Sequence, residues 1–322
     1  MANYIFNKIR QIKQSLTSNT DDKIEDLEAR MKRSMVFELM RNEMLNSVLS
    51  CNEKGVTSEI IDGEEYIVSL TSHGVRIERV FQTIESIFRQ TRKVNRVVLY
   101  LSRDEFQGKE LPITLQKQMG RGLEIKYVKD IKSFTKLVPA LRDYPESNII
   151  TVDDDYIYPL DMIDQLVRCH HCYPAAVCCR MSREISMKGK DRFDTYLSFE
   201  HVFGDVPLSS PRFLALGYGG VLYPPHSLHP DAIREDFFTM LCPYADDIWF
   251  KAMELLQGTQ VVVLPGSKHE IAYYEDSTFQ ETGLWRINID QQKNDKQLKA
   301  VFDHYHLYDA LNEPNSCSAE HS

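Results

Sequence analysis

The stretch that most restricts this chain is Asn148 to Pro159, Asn-Ile-Ile-Thr-Val-Asp-Asp-Asp-Tyr-Ile-Tyr-Pro. Ile149, Ile150 and Val152 form the kind of short apolar run that becomes a strand buried on both faces of a mostly parallel sheet. Asp153, Asp154 and Asp155 follow at once, and Pro159 closes the turn. Three adjacent carboxylates repel one another at the end of a core strand. A hard divalent cation relieves that repulsion, since Mg²⁺ and Mn²⁺ take oxygen ligands and Mg²⁺ often shares one or two carboxylates with substrate phosphates. Open α/β sheets bind their ligands at the carboxyl ends of their strands, where this triplet is expected to lie. A bare Asp triplet on its own reads as a solvated acidic turn. The apolar strand before it and the aromatic turn after it shift the expectation to a metal site.

Strands and helices alternate on both sides of this stretch. Tyr66–Leu70, Arg96–Leu101 and Leu123–Val128 read as strands. Ile77–Phe88, Phe134–Leu141 and Asp161–His171 carry helical spacing, and Ala175–Arg180 is strand-like again. The pattern predicts an α/β domain with a largely parallel sheet and right-handed crossovers. Ser182–Arg212 is polar and interrupted by glycine and proline, and its length predicts a lid or substrate-binding loop. Beyond it come the glycine group Gly217, Gly219 and Gly220, a helix near Asp231–Met240, Tyr244-Ala-Asp-Asp-Ile-Trp-Phe, a strand at Gln260–Leu264 and a helix within residues 290–311.

Residues 1–50 differ from the rest. Tyr4 to Leu16 has helical spacing with Lys8, Arg10 and Lys13 on one face, which fits either a membrane-surface helix or packing on the chain's own domain. Residues 21–49 contain no Pro or Gly and carry the stripe Ile24, Leu27, Met31, Met35 and Leu39, as expected of a helical hairpin or a homo-oligomer coil. The expected organisation is a helical extension over 1–60, a main domain over 61–311 and a flexible tail over 312–322. A net charge of −9 argues against a general nucleic-acid binder. No apolar run reaches spanning length and no secretory leader is evident, so a cytoplasmic location with reduced cysteines is expected. Cys178 and Cys179 are adjacent on a strand and point to opposite faces, so the Cys169–Cys179 group reads as packed thiols rather than a zinc site.

Four further features bear on chemistry. Leu70-Thr-Ser-His-Gly-Val-Arg76 joins the first main-domain strand to its helix, offering backbone N–H groups and Arg76 to an anion. Asp130 to Pro139 places Lys136 just upstream of the acid strand, where it can neutralise a diphosphate. Glycines at 217, 219 and 220 permit a close backbone approach to a ligand. Asp246-Asp247 opens a predicted helix. One of the pair can cap it, leaving the other as a candidate general base. His269, after Pro265-Gly266, reads equally as a metal ligand and as an exposed loop residue.

In this order, Thr-Ser-x-x-x-Arg, Asp-x-x-x-x-x-Lys-Leu-x-Pro-Ala-Leu, strand-Asp-Asp-Asp, Ile-Tyr-Pro, Gly-Gly-Val-Leu-Tyr-Pro-Pro and Ala-Asp-Asp-Ile-Trp, the chain resembles bacterial glycosyltransferases of the GT-A fold. Within these it is similar to capsule and lipopolysaccharide enzymes, including the N-acetylglucosaminyltransferases of heparosan-type capsule synthesis. The resemblance covers about residues 65–290. It implies a nucleotide-sugar donor, a UDP-sugar, and a saccharide acceptor. Asp155 would bind Mn²⁺ or Mg²⁺, and Asp153 would contact ribose or metal-bound water. Thr71, Ser72, Arg76, Asp130, Lys136, Asp154, Gly219 and Gly220 would surround the nucleotide sugar. Asp246 or Asp247 would act as base in an inverting enzyme and would position substrate in a retaining one, while His269 would complete the metal shell. Two rivals stand beside this reading: a sugar-phosphate nucleotidyltransferase, disfavoured by the glycine-poor Leu70–Arg76 turn, and a non-catalytic scaffold with a relic sugar-nucleotide fold.

Overall fold

The computed structural model describes residues 24, 27–28, 31–32, 34–60, 63–266, 274–275 and 293–312. The chain divides into two compact units, Met1–Glu43 and Met44–Ser322. In the first, residues 34–43 are helical and the stripe Ile24, Leu27, Met31, Met35 and Leu39 lies exposed. The expected amphipathic helix at residues 1–16 and the tail after residue 312 lie outside the described residues.

The second unit opens with helical residues 44–50 (α1). It then runs through β1 (Tyr66–Ser72), α2 (Phe81–Phe88), β2 (Arg96–Ser102), α3 (Arg103–Phe106), α4 (Ile113–Gly120), β3 (Leu123–Val128), α5 (Val138–Asp143) and β4 (Asn148–Thr151). Next come β5 (Tyr156–Ile157), α6 (Met162–Cys172), β6 (Val177–Cys179), β7 (Ser182–Glu184), β8 (Glu200–His201), β9 (Leu208–Ser210), β10 (Phe213–Ala215) and β11 (Val221–Tyr223). The last elements are α7 (Glu235–Leu241), α8 (Asp246–Gln257), β12 (Val261–Val263), β13 (Tyr274–Glu275) and α9 (Lys293–Tyr305).

Eight strands form the main sheet in the order β3-β2-β1-β4-β11-β6-β12-β9. β1, β2, β3 and β4 are mutually parallel, as are β6 and β12, while β11 and β9 run against their neighbours. This is the mostly parallel, Rossmann-like α/β sheet that the strand–helix alternation predicts. Its central strands β1, β2, β4, β6, β11 and β12 are mostly apolar and buried because both faces of the sheet are packed. Along β6, Val177 and Cys179 enter one core while Cys178 enters the other. β11 repeats the division, with Val221 and Tyr223 against Leu222. The adjacent cysteines therefore lie on opposite faces of the sheet.

The Ser182–Arg212 segment, read as a loop, carries short strands: β7 and β8 join β10 in a three-stranded sheet, and β9 forms the edge of the main sheet. Strands of two or three residues are too short to show a period-two pattern in sequence.

Candidate active site

β1 and β4 are neighbours, so their carboxyl ends deliver Ser72 and the acid turn to one place. The Arg76 guanidinium forks across two carboxylates of that turn. Nη1 donates to Asp154 Oδ1 at 2.6 Å and Nη2 to Asp155 Oδ2 at 2.8 Å. Ser72 Oγ donates to the other oxygen of Asp154 at 2.6 Å, so this buried carboxylate has both oxygens engaged within the protein and anchors the turn. Burial holds its pKa above the ordinary value despite Arg76 and Ser72. The repulsion that the sequence assigns to a missing cation is thus relieved in part by the chain itself.

Lys136 closes the other side. It ends a short 3₁₀ turn, Lys132–Lys136, and its buried ammonium sits 2.7 Å from Asp153 Oδ1 and 3.1 Å from Asp246 Oδ2. Burial alone would lower its pKa. The fields of Asp153, Asp246 and Asp247 outweigh that and raise it well above the ordinary lysine value. Asp153 and Asp246, far apart in sequence, are therefore held by one cation, whose field also reaches Asp247.

The second acid pair lies in the first turn of α8, where carboxylates favour the helix dipole. Neither Asp caps the helix, because Ala245 holds the N-cap position. Asp247 Oδ1 accepts from the Gly217 N–H at 3.1 Å. Burial, followed by repulsion from Asp246, pushes its pKa up to about 8, with Lys136 pulling the other way. A half-buried carboxylate with raised proton affinity, facing a cavity, is equipped to receive a proton from a hydroxyl group.

A cavity of about 690 Å³ joins these groups. Thr71, Ser72, Arg76, Asp130, Lys136, Asp153, Asp154, Asp155, Asp246 and Asp247 all line it. Thr71 donates to the Tyr100 carbonyl at 2.9 Å, and Asp130 accepts from the Lys132 N–H at 2.7 Å, so each is oriented by backbone.

Gly219 and Gly220 are not among the lining residues, and their expected ligand contact becomes a packing role. A Cβ on Gly219 would fall 2.6 Å from Met181, while Gly220 has φ +85° and would meet Met162 Sδ at 3.0 Å. Gly217 matters more directly, because a Cβ there would lie 2.5 Å from Lys136 Nζ. His269 lies outside the described residues.

Tyr158 ties the acid turn to the glycine segment. Its hydroxyl accepts from the Asp153 N–H at 2.9 Å and donates to the Tyr218 carbonyl at 3.0 Å. The Tyr218 ring stacks on Tyr156, with centroids 5.5 Å apart. Sequence reasoning passed over Arg183, Tyr196, Tyr218 and Tyr244 as cavity residues. Tyr218 and Tyr244 lay inside quoted motifs, where their neighbouring glycines and acids drew the attention.

The chain matches no family model and no curated protein. Among solved structures it is similar to residues 1–349 of TarS from S. aureus, at 11% identity and a TM-score of 0.45, covering 75% of this chain and 71% of that one. It is also similar to 4-diphosphocytidyl-2C-methyl-D-erythritol synthase, at 9% identity and 0.41, covering 69% and 98%. The UTP-bound UGPase from Acinetobacter baumannii matches at 6% identity and 0.41, covering 76% and 99%.

Proposed function

We propose that this chain is a metal-dependent glycosyltransferase of the GT-A type. In this reading it moves a sugar from a UDP-sugar to a saccharide acceptor in bacterial surface-polysaccharide synthesis. One observation carries the reading: a single cavity in which an acid turn at the ends of parallel strands faces a high-pKa carboxylate, Asp247, across the shared cation Lys136.

The residues fit Mn²⁺ or Mg²⁺. Asp153 and Asp155 line the cavity with hard carboxylate oxygens, and Asp153 is the more exposed. Among the described residues no three His, Cys, Asp or Glu side chains form a ready cage. That suits an ion whose remaining ligands come from a diphosphate and water. Such an ion at Asp155 competes with Arg76 for the carboxylate. When bound, it would supply positive charge to the diphosphate as the sugar–phosphate bond breaks.

The chain's own residues supply the rest. Arg76 and Lys136 add cationic charge near the phosphates. Asp247 takes the proton of the acceptor hydroxyl in an inverting transfer, while Gly217 and Lys136 fix its position. Tyr196 and Tyr218 help wall the reacting atoms from water.

Hydrolysis assays with a UDP-sugar panel, with Mn²⁺ and with EDTA, test the reading. Metal-dependent release of UDP is expected. Absence of both hydrolysis and metal-dependent UDP binding would remove the proposal.

No helix among the described residues is long and apolar enough to cross a membrane. The exposed Ile24–Leu39 stripe supports self-association through residues 21–49, and the basic face of residues 1–16 supports peripheral contact with the inner membrane surface. Deleting residues 1–50 should change light-scattering mass or liposome flotation more than UDP affinity.

A further inference from the structure

Helix α2 is buried along its whole length, yet it carries the polar residues Thr83 and Ser86 on the inside. Gln90, just past the end of the helix, is buried as well. The three recur at i, i+3 and i+7, the spacing of one helical face. All of them are spent on a single piece of main chain, the connection from the acid turn to α6. Thr83 Oγ1 donates to the Tyr156 carbonyl at 2.7 Å, and Ser86 Oγ accepts from the Tyr158 N–H at 3.1 Å. Gln90 Nε2 donates to the Pro159 carbonyl, while its Oε1 accepts from the Ile163 N–H at 3.0 Å. The Thr91 N–H adds a bond to the Leu160 carbonyl at 2.8 Å. Each of these side-chain contacts spans 69–73 positions of sequence.

The bond to Ile163 also fills a gap in α6. Asp161 holds the N-cap position of that helix, but its side chain makes no capping bond. The Ile163 amide is among the first N–H groups of a helix, which have no partner within it. Gln90 therefore caps α6 from a distant part of the sequence and grips the Pro159 carbonyl with the same side chain. The acid turn is fixed at both ends: the Val152 N–H donates to the Ser69 carbonyl within the sheet, and residues 156–163 hang on α2. A buried hydrogen bond is exchanged for one to water, so it adds little to stability but sets distance and direction. Metal ligation needs that accuracy, since its distances hold to within about 0.2 Å.

We infer that Thr83, Ser86 and Gln90 are positioning residues. They hold the acid turn, and through it Asp153 and Asp155, in the geometry that a divalent cation and a diphosphate require. The task given to the turn rests on the transferase reading, whereas its fixing by α2 does not.

Thr83→Val and Gln90→Met remove hydrogen-bonding groups at nearly constant volume, and Thr83→Ser restores the hydroxyl. Hydrogen–deuterium exchange on the full chain should quicken in residues 153–163 of the first two variants. β1 and β2 should stay as protected as in wild type, and Thr83→Ser should match wild type throughout. Mn²⁺ affinity in the presence of UDP, read by electron paramagnetic resonance, should fall about tenfold in Thr83→Val and Gln90→Met. It should recover in Thr83→Ser. Exchange that quickens evenly along the chain would overturn the inference. So would unchanged Mn²⁺ affinity in both variants beside a lowered urea midpoint, which marks a merely structural role. A wild type that binds neither Mn²⁺ nor UDP would remove the transferase reading instead. Exchange confined to residues 153–163 would then still uphold the fixing of the turn by α2, and even exchange would refute it.

Discussion

The two acid clusters of the cavity use the same side chain for different ends. In the turn after β4 each aspartate meets a cation at 2.8 Å or less: Asp153 meets Lys136, and Asp154 and Asp155 meet Arg76. At the start of α8, Asp246 shares Lys136 at 3.1 Å, and Asp247 accepts a backbone N–H from Gly217. The first cluster has its carboxylates tied to cations, whereas Asp247 in the second is left with a raised proton affinity by burial and by its neighbour Asp246, against the pull of Lys136.

The largest effect expected from this contrast is on turnover. Asp247→Asn should lower kcat/KM about 10³-fold, within the range for losing a general base, with UDP affinity unchanged in calorimetry. An equal loss of UDP affinity would mean that the two clusters do one job.

Lys136→Met should act on both clusters, because it leaves Asp153, Asp246 and Asp247 without their common cation. A stability loss of about 3–5 kcal/mol is expected in urea unfolding, as for breaking a buried pair. Gly217→Ala should displace the Lys136 ammonium without removing it. A cost of about 1–3 kcal/mol from overpacking is expected, with activity falling alongside.

The smallest effect is on the pH profile. With the Asp247 pKa at about 8, kcat/KM should rise about tenfold per pH unit below that value and level off above it. Stability should run the other way. Native Asp247 keeps its proton up to about pH 8, whereas the unfolded chain releases it near the ordinary value of 3.8, so this group's contribution falls as pH rises between them. Urea titrations of wild type and Asp247→Asn over pH 5–8 should differ in slope, with the flatter line in the variant.

Much of the sheet was legible because burial leaves β1 and β2 mostly apolar, while β3 alternates apolar with charged residues. β3 was expected at Leu123–Val128 and is found there, and β1 and β2 extend a residue or two beyond their expected ends. β7, β8 and β9 were not legible, since two or three residues carry no period. Motif order pointed to the cavity residues but not to their partners. Arg76 finds Asp154 and Asp155 across 78 and 79 positions, which no local pattern encodes. Nor could sequence alone show that Gly219 makes room for Met181 rather than for a ligand.

The Tyr158 hydroxyl, caught between the Asp153 amide and the Tyr218 carbonyl, spends its one proton and a lone pair on main chain. Phenylalanine at this position would keep the ring but leave a donor and an acceptor to find new company. Any shift of the acid loop would then no longer be handed, atom to atom, to the main chain of Tyr218 and so to the glycine segment.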